Sequence, residues 1–218
     1  MSYFKNFDRI IYQYPDNVQR IITDLSVRPM IRKEILSNSV NFEFYNVAEG
    51  EAPDHISNKF YGDPTYHWVI MLANDIVNFY GDWPLDLSQF NEYIYQKYKT
   101  VLDSDGSTVT LTRSQSITYT QFAGSPDNDF TEFLDGTTVR MKPHHFITSD
   151  KVQFSYDAIV NNTNLVDAHG NSEIYDTTTP VSIYDYESNL NEGKRKIIIP
   201  KKIIVDRIVS EIRDILND

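Results

Sequence analysis

The sequence contains no cysteine, which excludes disulfides, thiolate metal centres and a cysteine nucleophile together. Long apolar runs are missing too. The longest uninterrupted one, residues 68–73, falls far short of the roughly 20 residues a membrane-spanning helix needs. The opening stretch MSYFKNFDRIIYQYPDNVQR scatters charges where a secretory signal would carry a continuous apolar segment, so the expectation is a soluble protein made in a cytoplasm. Positive charge is in the minority: 20 Lys and Arg against 31 Asp and Glu give a formal net charge of -11, which disfavours a phosphate backbone as partner. One basic cluster, Lys194, Arg195, Lys196, Lys201 and Lys202, flanks the apolar run 197–199. No stacking aromatics accompany it, so it reads as a solvated edge or a contact for an acidic partner.

What the chain has in quantity is aromatic surface, 15 Tyr and 12 Phe in 218 residues. A chain of this length buries roughly 70% of its unfolded surface, and aromatics serve such a core. Tyrosine, with an apolar face and a polar tip, equally suits surfaces that are wet before assembly and covered after it.

Catalytic constellations are scarce. There is no phosphate-cradling glycine loop and no nucleophile elbow. His144 and His145 are adjacent, so on a strand they would point to opposite faces and fail to share a metal. Asp103-Ser104-Asp105-Gly106 begins like a calcium loop but lacks the later ligands and the closing glutamate, and reads as a hairpin turn. Asp185 and Glu187, on one strand face, would imitate a carboxylate pair without the intervening cleft of a glycosidase. The expectation is no enzyme, no cofactor and no metal.

The most structured stretch is residues 50–76. Pro53 suits a first helical position and Asp54 the first turn, while Ile56 and Phe60 share a face. Gly62 supplies a left-handed stop, and Asp63 with Pro64 starts a second helix whose Trp68, Met71, Leu72 and Ile76 make an apolar stripe. Residues 41–47 alternate as a half-buried strand. Before them, Val18, Ile21, Ile22 and Leu25, then Met30, Ile31, Ile35 and Leu36, recur at helical spacing around Pro29, and Tyr3, Phe4, Phe7, Tyr12 and Tyr14 form an aromatic arm. After them, residues 87–99 read as a helix with Phe90, Ile94 and Tyr98 on one face, capped by Asp86 or Ser88. From 101 to about 186 the period becomes two, with hairpins expected around Asp105-Gly106 and Asp135-Gly136, a strand at 151–156, and long polar loops at 124–129 and 161–171. The C-terminus reads as an amphipathic helix carrying Ile204, Ile208, Ile212 and Ile215 with Val205, Val209 and Leu216. Its apolar face packs either on its own domain or on a neighbouring chain. Trp83, in a turn between Asp82 and Pro84, is expected half exposed.

Residues 44–76, with their strand, Gly50, the Ile56/Phe60 helix, Tyr61-Gly62-Asp63-Pro64 and Ala73-Asn74, resemble a LysM module. Its usual Gly-Asp-Thr entrance is replaced here by Gly50-Glu51-Ala52-Pro53. The segments 60–64, 66–68, 71–75 and 80–84, with 181–187 and 190–197 near the end, are similar to the gp53-like baseplate wedge proteins of contractile-tailed bacteriophages. The fold class expected is α+β: a small LysM-like βααβ module, a β-rich middle and terminal helices. The regions are 1–40, the arm and short helices; 41–100, the module and following helix; 101–190, the β-rich part; and 191–218, a strand and amphipathic helix. The resemblance implies a structural virion protein of the tail baseplate, assembled in the host cytoplasm, that joins or clamps neighbouring wedge components. Pro53, Gly62, Asp63 and Pro64 would hold the module rigid. Tyr80, Trp83, Ile208 and Ile212 are the candidate interface residues. Its partners would be other baseplate wedge proteins in a symmetric assembly, with no nucleic acid or membrane and carbohydrate disfavoured. The rival reading is a LysM-type module that binds peptidoglycan or chitin through loops near 51–53 and 75–78.

Overall fold

A computed structural model describes residues 7–15, 17–26, 30–31, 35, 38–102, 106–124, 130–133, 136, 138–156 and 178–216. Tyr3, Phe4, Pro29, Leu36, the two turn aspartates Asp105 and Asp135, Asp103-Ser104 and the polar loops at 125–129 and 161–171 lie outside them. The protein is α+β and divides into two compact units. The first is built from residues 1–84 and 194–218, the second from 85–193. These divisions do not coincide with the boundaries read from the sequence at 40, 100 and 190.

The first unit contains a hairpin, β1 (Arg9–Gln13) and β2 (Gln19–Thr23), followed by β3 (Phe42–Asn46), α1 (Pro53–Tyr61), α2 (His67–Ala73) and the one-turn α3 (Phe79–Asp82). It is completed by β11 (Lys196–Pro200) and α7 (Lys202–Leu216). Short helical or irregular segments were expected over 16–36; up to Thr23 the chain instead forms a hairpin, in which Ile11 pairs with Ile21 and Ile10 with Ile22 and the chain reverses through Asn17 at φ 60, while most of 27–37 lies outside the described residues. A hydrophobic spacing of three and four over so few residues fits a helix by coincidence, whereas Pro15 and Asn17 dictate a turn.

Local chemistry accounts for the helix pair. Pro53 occupies the first turn of α1 with Asp54, and Gly62 closes it in the left-handed region at φ 74 while donating its N–H to the Asn58 carbonyl. Any side chain there would be strained. The buried Ser57 hydroxyl donates to the Asp63 carbonyl at 2.6 Å, and the Asp63 carboxylate accepts from the Thr65 N–H at 2.8 Å. Pro64 opens a 3-10 turn, Pro64–Tyr66, which runs into α2. The end of α2 is a Schellman closure: Ile76 N–H reaches the Met71 carbonyl, and Asp75 takes the left-handed position at φ 53.

The strand that returns beside β3 does not follow the helix pair, as the sequence suggested, but arrives more than a hundred residues later. β11 runs antiparallel to β3, with Ile197 opposite Tyr45 and Ile199 opposite Glu43. Ile197 and Ile199 are buried with Ile56, Trp68, Val69 and Ile70, and α7 lays Val205, Ile208, Val209 and Ile212 on the same core. The other edge of β11 is held by a side chain: the Asn74 carboxamide donates to the Ile198 carbonyl and accepts from the Ile198 N–H, both at 2.8 Å. One side chain thus reproduces a strand neighbour. Asn74→Ala is expected to destabilise the first unit by about 1–3 kcal/mol, because two part-buried backbone groups lose their partner. A urea titration checks this, and an unchanged midpoint would refute it.

The second unit is more helical than its period-two pattern suggested. It comprises α4 (Leu87–Tyr98), the hairpin β4 (Thr100–Leu102) with β5 (Thr108–Thr110), α5 (Arg113–Phe122), β6 (Phe130–Glu132) paired with β7 (Thr138–Arg140), and α6 (Ile183–Gly193). A three-stranded sheet has the order β10 (Thr179–Val181), β8 (His145–Ile147), β9 (Gln153–Ser155). Asp86 caps α4 in a reciprocal box with Gln89, and Thr112 caps α5 with Gln115. Leu111, Tyr119, Ala123, Val139, Met141 and Ile183 form the core. Because residues 183–193 are helix, Asp185 and Glu187 do not share a face: Asp185 is exposed and Glu187 is 3% exposed.

Candidate protein interface

In the first unit, α3 is a short turn fastened on every side. Asp82 accepts from the N–H groups of Val77 and Asn78 at 3.0 and 2.8 Å, and Asn78 accepts from the Tyr80 N–H. The hydrogen bonds from Asn78 and Val77, with the nearby Lys194 charge, hold the Asp82 carboxyl below its ordinary value. Lys194 donates to the Gly81 carbonyl at 2.6 Å. The consequence is a rigid pedestal for Tyr80, whose ring is 83% exposed.

Trp83 is placed differently from the expectation. It is 4% exposed, stacks on Phe79 with ring centroids 6.0 Å apart, and donates its indole N–H to the Glu51 carbonyl at 2.9 Å. A buried indole needs such an acceptor, and Glu51 supplies one from the loop before α1. Ile208 and Ile212 are likewise 1% exposed inside their own core, so the amphipathic face of α7 is covered by its own unit. The side chains of Ile215 and Leu216 lie outside the description. Gly62, Asp63 and Pro64 form the turn between α1 and α2, and Pro53 opens α1 at its other end.

Three features stand out among the apolar groups that the first unit exposes to solvent. Phe44 is 82% exposed and packs edge-on against Phe42 on β3, which among the described residues has a sheet neighbour on one side only. Among the described residues the β1–β2 ribbon has no further strand, and Ile11 and Ile21, paired across it, are each 69% exposed. Tyr80 is the third. The hairpin and Phe44 were missed in the sequence because exposed isoleucines and an exposed phenylalanine imitate core residues.

Polar groups around α1 are committed internally. The Glu51 carboxylate accepts from the Tyr45 hydroxyl at 2.8 and 3.0 Å and from the Ala48 N–H at 3.1 Å, and Lys59 donates to the same hydroxyl. The basic cluster is also partly spent within the chain: Arg195 reaches the Val47 carbonyl and Glu49, and Lys202 donates to the Tyr61 carbonyl.

The second unit gathers titratable groups of its own. Glu187 accepts from Lys97 at 2.7 Å, from the Tyr93 hydroxyl at 3.1 Å and from the Tyr98 hydroxyl. Burial alone pushes its carboxyl up, but these hydrogen bonds and the Lys97 charge outweigh burial and bring it below its ordinary value. His144 and His145, expected on opposite faces, instead bring their Nδ1 atoms within 2.9 Å, because His144 precedes β8 and escapes the strand alternation. One ring must donate and the other accept, so at most one of the pair carries a second proton in this geometry. His144 stacks on Tyr186 at 3.6 Å, and burial lowers both imidazoles, His144 also through its neighbour's charge. Among the described residues no group of three or more His, Asp or Glu is placed to hold a metal ion, and no helix is long and apolar enough to cross a membrane.

The chain's sequence matches the family model described as base plate wedge protein 53 over residues 4–216. No curated protein was found to match it.

Proposed function

Since the chain belongs to the base plate wedge protein 53 family, and so to the structural proteins of the phage tail baseplate, we propose that it joins neighbouring wedge components through contacts made by its first unit. The observation that carries this reading is the β1–β2 ribbon. A two-stranded ribbon with isoleucines exposed on both strands is marginal in water and presents two open edges, so it calls for a partner surface. Phe44 and the Tyr80 pedestal add two further apolar contacts on parts of the unit held rigid from within. Rigid aromatic groups lose little entropy on docking, which favours them as interface anchors. Assembly takes place in the host cytoplasm in this reading.

The LysM resemblance then describes a scaffold. Strand β3, helices α1 and α2 and the antiparallel β11 support a βααβ arrangement, with its last strand delivered from the far end of the chain. The loops that would bind glycan are occupied from within: Glu51 is bonded to Tyr45, Ala48 and Trp83, and the Val77 and Asn78 amides to Asp82. A groove whose donors and acceptors are already satisfied gains little from sugar hydroxyls, which favours protein over peptidoglycan or chitin.

Co-purification of the chain with the other wedge chains, beside calorimetric titration with N-acetylglucosamine oligomers, tests this. Wild-type protein is expected to associate with wedge chains and give no saturable sugar heat. Ile11→Lys with Ile21→Glu, opposite charges across the ribbon, is expected to weaken association about tenfold or more while leaving the melting curve unchanged, since both sites are exposed. Saturable sugar binding without wedge association would make the chain a cell-wall recognition module instead.

A further inference from the structure

The second unit carries a half-open pocket of about 570 Å³, within the range of roughly 300–1,000 Å³ that small-ligand sites occupy. Its lining divides by chemistry. Val101, Ile183 and the rings of Tyr98 and Tyr119 give an apolar wall, whereas Arg140 and Lys142 supply two cations, and none of the described residues lining it is acidic. Tyr98 contributes only its ring, because its hydroxyl is given to Glu187. Tyr119 is 8% exposed, and none of the described residues hydrogen-bonds its hydroxyl. Burial pushes that phenol up, so it stays a proton donor at neutral pH.

The two cations are held in advance. Arg140 and Lys142 both lie over the ring of Tyr156, at 5.8 and 5.2 Å from its centroid, and neither forms an ion pair with a described carboxylate. Single surface cations are ordinary. Two of them gathered at one aromatic ring, at a pocket with an apolar wall and a phenol that no described residue hydrogen-bonds, select for an anion attached to an apolar body. In a chain of net charge -11 such a place is set apart from its surroundings. A free phosphate would leave the apolar wall uncovered, whereas a carboxylate beside an aliphatic or aromatic side chain uses both halves.

We propose that this cavity binds an acidic peptide segment of a neighbouring protein chain, Arg140 and Lys142 taking its carboxylate and the wall around Val101, Tyr119 and Ile183 taking the adjacent apolar side chain. Only the source of the segment rests on the baseplate reading; the preference for a carboxylate on an apolar body does not.

The test is a chemical-shift titration of the full chain with the probe acetyl-Phe-Asp-Leu-amide and its Asn counterpart. The Asp peptide is expected to saturate with Kd below about 1 mM, and the Asn peptide to bind about tenfold more weakly or worse. Arg140→Gln with Lys142→Gln is expected to abolish the difference while keeping the fold, both residues being exposed, and Tyr119→Phe to weaken binding severalfold. Absence of saturation by about 10 mM, or equal binding of the two peptides, overturns the proposal. A double Gln variant that enters wedge assemblies as well as wild type overturns the assigned partner. Failure of the baseplate reading looks different: wild-type chain then associates with no wedge chain, and the peptide titration still decides the cavity.

Discussion

Ile212→Ala is expected to lower the stability of the isolated chain by about 2–5 kcal/mol, the usual range for truncating a buried isoleucine in a core that cannot collapse around the gap. Ile212 is 1% exposed and shares its cluster with Ile208, Val205 and the β11 isoleucines. Loss on this scale moves a melting temperature by on the order of 10 °C for a protein of this size. Thermal and urea unfolding of the purified chain, with no partner present, measure it directly. The sequence left the apolar face of α7 open to two readings, its own domain or a neighbour. An alanine variant that melts like wild type yet binds wedge chains poorly would return Ile212 to an interface.

Replacing Glu187 by Leu is expected to cost the second unit about 2–3 kcal/mol. Three donors converge on this carboxylate from α4, Lys97, Tyr93 and Tyr98, and leucine satisfies none of them. The cost stays at the low end for a broken buried pair because the Lys97 side chain is 46% exposed and regains water. The pH dependence follows from the direction of the shift. Glu187 titrates lower in the folded chain than its ordinary value, so its contribution is complete above the unfolded glutamate value, about 4.3, and fades as pH falls through the depressed folded value. Glu187→Gln removes that dependence. The gap in urea midpoint between wild type and the Gln variant is therefore expected to shrink between pH 7 and strongly acidic conditions; a constant gap would mean that the charge contributes nothing.

The parts of this architecture legible in the sequence were those with unambiguous local chemistry. Pro53 marks a start, Gly62 a stop and Asp63 with Pro64 a second start, and α1 and α2 occur where they point. Asp86 marks α4, and the β4–β5 hairpin follows its turn signal. Helix α5 was hidden because its buried face is Ser116, Tyr119 and Thr120, with little apolar periodicity to read. Its capping box, Thr112 with Gln115, was the available signal. Helix α6 was hidden by alternation at 181–187, a pattern that a helix with a buried glutamate also produces. At the candidate interface, Tyr80 was legible as an aromatic in a turn. Trp83 was not, because its burial depends on a carbonyl at Glu51, a contact made in three dimensions. The pairing of β11 with β3 is non-local in the same way, and no periodicity encodes it.

That pairing also sets an order of events on the ribosome. β3 is synthesised early, but the strand that completes its sheet, the Asn74 clasp and the α7 face of its core all require residues beyond 193. The second unit, residues 85–193, is contiguous and must be made in full before β11 emerges. At about 5–20 residues per second this leaves the first unit unfinished for on the order of ten seconds. The later-made unit therefore has everything it needs to fold first, while β3 and the α1–α2 pair wait with their apolar faces uncovered until β11 and α7 are made.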